Sequence, residues 1–142
     1  MIISLVKEQK GIEYVKEMEK TYNSIEEAEK LLEKTTPRNM VIYVDIENWK
    51  HLKDHPNETI KRTTSIVTNH LILGEIEIEL LNMIKYNKPR SIRELAKLID
   101  KDISTVQPKI KNLEKEGLLK LKDGVKNSKI PYLNYDEISI AI

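Results

Sequence analysis

Residues 91–124, SIRELAKLIDKDISTVQPKIKNLEKEGLLKLKDG, constrain the fold more than any other stretch of the chain. Ser91-Ile92-Arg93-Glu94 is a capping box: the Ser oxygen can accept from a free backbone N–H while Glu94 reaches back, so a helix begins at Ile92. Ile92, Leu95, Ala96, Leu98 and Ile99 supply its packing face, and the small Ala96 permits close approach of a crossing helix. Asp100-Lys101-Asp102 is a polar turn, with Asp102 a suitable N-cap for a second helix. In that second segment Val106, Ile110 and Leu113 recur at helical spacing and face inward. Gly117 supplies the left-handed residue that closes such a helix. Leu118 to Lys122 then alternates as a strand, Asp123-Gly124 turns, Val125 to Ser128 forms a tip, and Lys129 to Leu133 can return. Helix, tight turn, helix and hairpin predict a winged helix-turn-helix.

The outer face of the second helix determines what such a module could do. At about 100° per residue, the meridian opposite Val106 and Ile110 passes through Ser104, Pro108, Lys111 and Lys115, flanked by Thr105, Gln107 and Asn112. These side chains can read base edges or hold phosphates. Ser104, Thr105 and Gln107 lie near the N-terminus, where a recognition helix touches bases. Lys109 and Lys111 are placed for phosphates, and Ser91, Arg93 and Lys101 flank them. Lys120, Lys122, Lys126 and Lys129 would line the hairpin and suit the phosphate backbone. Pro108 conflicts with a regular helix from Asp102, since it lacks an N–H and its ring crowds the preceding turn. Either the regular helix starts near Thr105, which places Pro108 in its first turn and is the favoured reading, or the first turn is distorted.

Charge adds to this only locally. The 142-residue chain has a formal net charge of +1 and is 33% charged, so bulk charge advertises no nucleic-acid partner. Residues 101–129, however, carry 8 basic against 4 acidic side chains. A solvated lysine-rich face is the plain alternative. The chain has no Cys, which excludes disulfides and cysteine metal sites. Its core must be aliphatic, with no Phe and a single Trp among 39% hydrophobic residues. No apolar run approaches the roughly 20 residues of a membrane span, and the opening MIISLVKEQK lacks a basic leader. These features predict a cytoplasmic protein with no membrane partner.

The N-terminal half is less explicit. Met1 to Val6 predicts a strand, and Ile12, Val15, Met18 and Tyr22 predict a helix over Gly11–Tyr22. Ser24-Ile25-Glu26-Glu27 is a second capping box that opens a helix ending before Pro37. The β-branched run MVIYVD, Met40 to Asp45, predicts a strand that is buried or pairs at a dimer interface, followed by a short helix capped by Asp45. Asn57 to His70 is ambiguous and leans to a helix turning irregular before His70. Ile76, Leu80, Leu81 and Ile84 form one stripe of a helix over Glu75–Tyr86, stopped at Asn87-Lys88-Pro89. The alternating Ile of the tail, Tyr135 to Ile142, predicts a further strand or a packed extension.

Two stretches, ELLNMIKYNKPRSIRELAKLIDKDISTVQPKIKNLEKEGLL and YDEISIAI, resemble the archaeal and bacterial predicted transcriptional regulators of the haloarchaeal-type DNA-binding protein family, related to the MarR and ArsR winged-helix regulators. The resemblance spans about the last 70 residues. It implies a dimeric DNA-binding regulator with Ile103 to Leu113 as recognition helix.

Other chemistry is weaker. Glu47, His51 and His55 stand four apart, with Asp54 adjacent, a spacing that could bind zinc on a helix. Pro56 cuts that helix and no H-E-x-x-H motif is present, so the histidines are read as ordinary surface residues and no metal is expected. The four glycines are scattered, so no phosphate loop forms, and no nucleophilic triad or cofactor motif is present. Trp49 and Tyr43 could line a ligand pocket, though a core or dimer interface suits them better; nothing names a small-molecule effector. The expected fold class is α+β: a winged helix-turn-helix over 73–142 and a small N-terminal α/β dimerisation or accessory region over 1–72. The expected function is sequence-specific binding of double-stranded DNA as a homodimeric transcription regulator, without enzymatic activity. A protein-interaction or antitoxin-like module that reads no bases is the alternative.

Overall fold

The computed structural model describes residues 1–70 and 73–142. In chain order the elements are β1 (Ile2–Lys10), α1 (Gly11–Tyr22), α2 (Ile25–Glu33), α3 (Met40–Leu52), β2 (Thr59–Val67), α4 (Glu75–Asn87), α5 (Ile92–Leu98), α6 (Ile103–Lys115), β3 (Lys120–Asp123), β4 (Lys129–Tyr132) and β5 (Glu137–Ala141). Among the described residues, six helices with two small sheets make an α+β fold. The first sheet runs β2-β1-β5 and the second is the β3-β4 hairpin. β1 and β5 pair antiparallel from Ile2↔Ala141 to Val6↔Glu137. On its other edge, Thr68 N donates to Met1 O at one end of β1, and Gly11 N donates to Glu58 O at the other. β2 is therefore antiparallel to β1 as well.

The chain divides into two compact units: Met1–Val6 with Thr63–Ile142, and Lys7–Arg62. The division expected at 72/73 abuts Leu71 and Ile72, which lie outside the described residues. Strands β1 and β2 each contribute residues to both units.

In the Lys7–Arg62 unit the core is Tyr14, Met18, Ala28, Ile46, Trp49 and Leu52. Two elements differ from expectation. Met40 to Asp45 is not a strand but the first half of α3. Asn39 caps it, its Oδ1 accepting from Val41 N at 3.0 Å and Ile42 N at 3.3 Å. Ile42, Ile46 and Trp49 then stand at helical spacing on the core side, and packing of that stripe outweighs the strand preference of β-branched residues. Asp45, expected as a cap, lies inside the helix and is buried. Residues 59–67 are strand rather than helix: Ile60, Arg62 and Ile66 turn inward at even spacing while their neighbours are exposed. Trp49 is buried in the core and stacks at 6.4 Å on Tyr22, the core placement rather than an exposed one.

In the other unit, Ile3 and Leu5 from β1 meet Leu80 and Ile84 of α4, Leu95 and Ala96 of α5, and Val106, Ile110 and Leu113 of α6. Tyr135 closes this core, its hydroxyl donating to Leu118 O at 2.5 Å; burial pushes that hydroxyl up to about 12. The tail strand expected from Ile138 and Ile140 is β5.

Candidate nucleic-acid interface

α5 begins as its capping box predicts. Ser91 Oγ accepts from Glu94 N at 3.0 Å. Glu94 reaches back one residue further than the usual box, accepting from Arg90 N at 3.3 Å. The helix closes with Asp100 in the left-handed region at φ 54°. Asp100 N donates to Lys97 O and Lys101 N to Ala96 O, the paired bonds of a Schellman closure. Asp tolerates that conformation better than most residues with a Cβ, and it fixes the tight turn into α6.

α6 starts at Ile103, not near Thr105, so Pro108 lies within the helix. Asp102 is at the N-cap position but its side chain makes no capping bond; its carbonyl accepts from Thr105 N and Val106 N. Burial of Val106, Ile110 and Leu113 holds the first turn in place despite the proline. The helix ends in a second Schellman closure. Gly117 is at φ +81°, its N–H meets Glu114 O, and Leu118 N reaches Leu113 O at 2.8 Å. Replacing Pro108 by Ala is expected to stabilise the fold by about 2 kcal/mol, since the helix-interior penalty of roughly 3 outweighs the unfolded-state gain of roughly 0.4–1. A denaturant midpoint at or below that of the parent protein would refute this.

The exposed face of α6 carries Ser104, Thr105, Gln107, Lys111 and Asn112. Lys101 in the turn and Arg93 on α5 are exposed as well. Lys126 is exposed at the hairpin tip, in a 3₁₀ turn where it adopts φ 53°. None of these eight side chains has a hydrogen-bond or ion-pair partner among the described residues. The other residues expected here are engaged. Lys109 is half-buried and donates to Glu77 Oε1 of α4 at 2.8 Å. That hydrogen bond holds the Glu77 carboxyl below its usual range. Lys109 thus ties α6 to α4 rather than standing free for a phosphate. Lys129 pairs with Asp123 across the end of the β3–β4 hairpin and lowers that carboxyl. The Ser91 hydroxyl is committed to its cap.

A cationic cleft escapes the sequence pattern. A cavity of about 570 Å³ lies between the end of α4 and the hairpin, lined by Lys85, Lys88, Arg90, Lys122, Tyr132 and Asp136 among others. Lys85 there bonds Asp136 at 3.2 Å, and the Lys122 ammonium stands 5.4 Å over the Tyr132 ring. These residues come from three separate stretches, so no local spacing announces them.

Comparison with known proteins adds one family. The HVO_A0114 family model matches residues 72–140, slightly under half of the chain. The match begins at the edge of the described residues before α4 and runs into β5. No curated protein and no solved structure matches the chain. Among the described residues, no helix is long and apolar enough to cross a membrane.

Proposed function

We propose that the protein is a transcription regulator that binds double-stranded DNA sequence-specifically as a homodimer. In this reading residues 73–142 act as a winged helix-turn-helix of the kind found in MarR- and ArsR-like regulators. α6 enters the major groove and the β3–β4 wing lies along the backbone. The observation that carries it is the exposed face of α6, where hydrogen-bonding and cationic side chains have no partner among the described residues, on a helix whose opposite face is fully buried. Gln107 can hold adenine through its paired donor and acceptor, and Ser104 and Thr105 can meet either base type. Arg93, Lys101, Lys111 and Lys126 supply phosphate contacts around that line. Self-association is supported by Met40 and Val41 of α3, apolar side chains left 59% and 69% exposed. Paired recognition helices would meet half-sites about 34 Å apart or a multiple of that.

Selection from a random duplex pool, followed by gel-shift measurement at moderate salt, tests the reading. A recurrent two-fold symmetric motif is the expected result; binding no tighter than to random duplex rejects it. Replacing Gln107 by Ala should relax preference at one position of each half-site, with about 1–3 kcal/mol of discrimination lost there. An unchanged motif in that variant removes Gln107 from the base-reading set.

A further inference from the structure

We propose that His51, His55 and Glu58 bind a borderline divalent cation, zinc above all. The three residues come from the last turn of α3, the turn after it, and the residue before β2. One ligand atom from each, two imidazole nitrogens and one carboxylate oxygen, lie within 4.8 Å of one another. His51 Nε2 already meets Glu58 Oε2 directly. The two imidazoles stack with centroids 4.3 Å apart and planes at 16°.

The orientation of His55 is that of a held ligand. Its Nδ1 lies 2.8 Å from the His51 carbonyl oxygen. A carbonyl can only accept, so Nδ1 donates, and Nε2 is the ring nitrogen left to a metal in the neutral ring. Metal-ligating histidines are generally oriented by such a bond from the other ring nitrogen. The backbone is set equally firmly. Gly11 N donates to Glu58 O at 2.6 Å and Ile12 N to Pro56 O at 3.0 Å. A Cβ on Gly11 would stand 2.5 Å from the His55 carbonyl oxygen, so the close approach that seats this turn requires glycine.

Two neutral imidazoles and a carboxylate suit zinc, whereas magnesium and calcium require oxygen ligands. Around a tetrahedral zinc with bonds of about 2.0–2.2 Å, neighbouring donors stand roughly 3.3 Å apart. Closing the set on one ion requires the two stacked rings to turn out of parallel, since each nitrogen lone pair lies in its ring plane. The fourth position faces solvent, because all three residues are exposed. Glu47, which the spacing alone places with the histidines, is not part of the cluster. Pro56, which ends any helix carrying His55, belongs to the turn that folds Glu58 back onto His51.

Calorimetric titration of the full chain with zinc chloride, alongside thermal melting, tests the site. One zinc per chain is expected, with a rise in melting temperature because the ligands meet only in the folded state. His51→Ala and Glu58→Ala should each weaken binding at least about tenfold, while His70→Ala leaves it unchanged. Cobalt(II) in place of zinc should give the strong visible bands of four-coordination. Zinc should also move the ring nitrogen resonances of both histidines in the unaltered protein, a readout independent of variant folding. No binding at millimolar zinc overturns the proposal, as does binding that survives both alanine variants.

Discussion

Replacing Lys101, Lys111 and Lys126 together by Ala is expected to lower affinity for any duplex at about 0.1 M salt by a few hundredfold per bound protomer. The magnitude comes from counterion release. Each phosphate neutralised contributes about 0.9 to the slope of log affinity against log salt, so at that concentration each contact is worth roughly a factor of ten. Three lost contacts should flatten the slope by about 2.7 per protomer. The three lysines are exposed and unpaired among the described residues, so stability should stay within about 0.5 kcal/mol. Binding titrations on a selected and an unrelated duplex, over a range of salt, should show both affinities falling by similar factors. An unchanged slope would place these lysines away from the backbone. Lys109→Ala offers an internal contrast, since its Nζ is held by Glu77: it should lower stability while leaving the salt slope intact.

Legibility of the fold followed the range of the forces involved. Helices opened by local capping could be placed to the residue: Ser24 Oγ accepts from Glu27 N and Ser91 Oγ from Glu94 N, as their sequences predict. The inward face of α6 was equally plain, because Val106, Ile110 and Leu113 repeat at the helical period and are all fully buried. Met40 to Val44 misled because five residues of strand-like composition sit on a helix whose stripe, Ile42, Ile46 and Trp49, extends past them. Thr59 to Val67 misled because its hydroxyl-rich run blurs the period of two, and its partner β1 lies some fifty residues earlier. The candidate interface divides the same way. Exposure on α6 could be read from 100° steps, but the capture of Lys109 by Glu77 spans 32 residues and leaves no local trace. The same holds for the cleft around Tyr132, whereas Glu58 stands only seven residues from His51 and meets it through the turn at Pro56, which helical spacing does not anticipate.

The least legible feature has the largest expected effect on stability. Asp45→Ala should destabilise the protein by about 3–4 kcal/mol. Asp45 is buried in α3, where Tyr22 OH donates to its Oδ2 at 2.8 Å. Tyr14 OH shares its proton between the Asp45 carbonyl oxygen at 3.2 Å and Oδ1 at 3.4 Å. Arg62 Nη2 stands 4.0 Å from the same carboxylate, while its Nη1 pairs with Glu17 at 3.1 Å and its guanidinium lies over the Tyr14 ring. Alanine would leave the half-buried Tyr22 hydroxyl without its acceptor and Arg62 without half of its counter-charge. Tyr22→Phe removes one hydrogen bond and leaves the charge in place, so about 1 kcal/mol is expected there. Asp45→Asn keeps an acceptor but no charge and should fall between. The pH dependence separates the contributions. Burial first, and the Asp45 carboxylate second, push the Tyr22 hydroxyl up to about 12. A folded-state value above the unfolded one of roughly 10 means stability that is complete below that pH and lost as pH rises toward 12. In Asp45→Ala the Tyr22 hydroxyl should titrate nearer its ordinary range, so the alkaline limb of the stability curve should be shallower. Chemical denaturation at neutral and alkaline pH measures both. A neutral-pH loss below about 0.5 kcal/mol, within the range of ordinary surface changes, would show that water replaces the carboxylate without penalty and that α3 is held by Ile46, Trp49 and Leu52 alone.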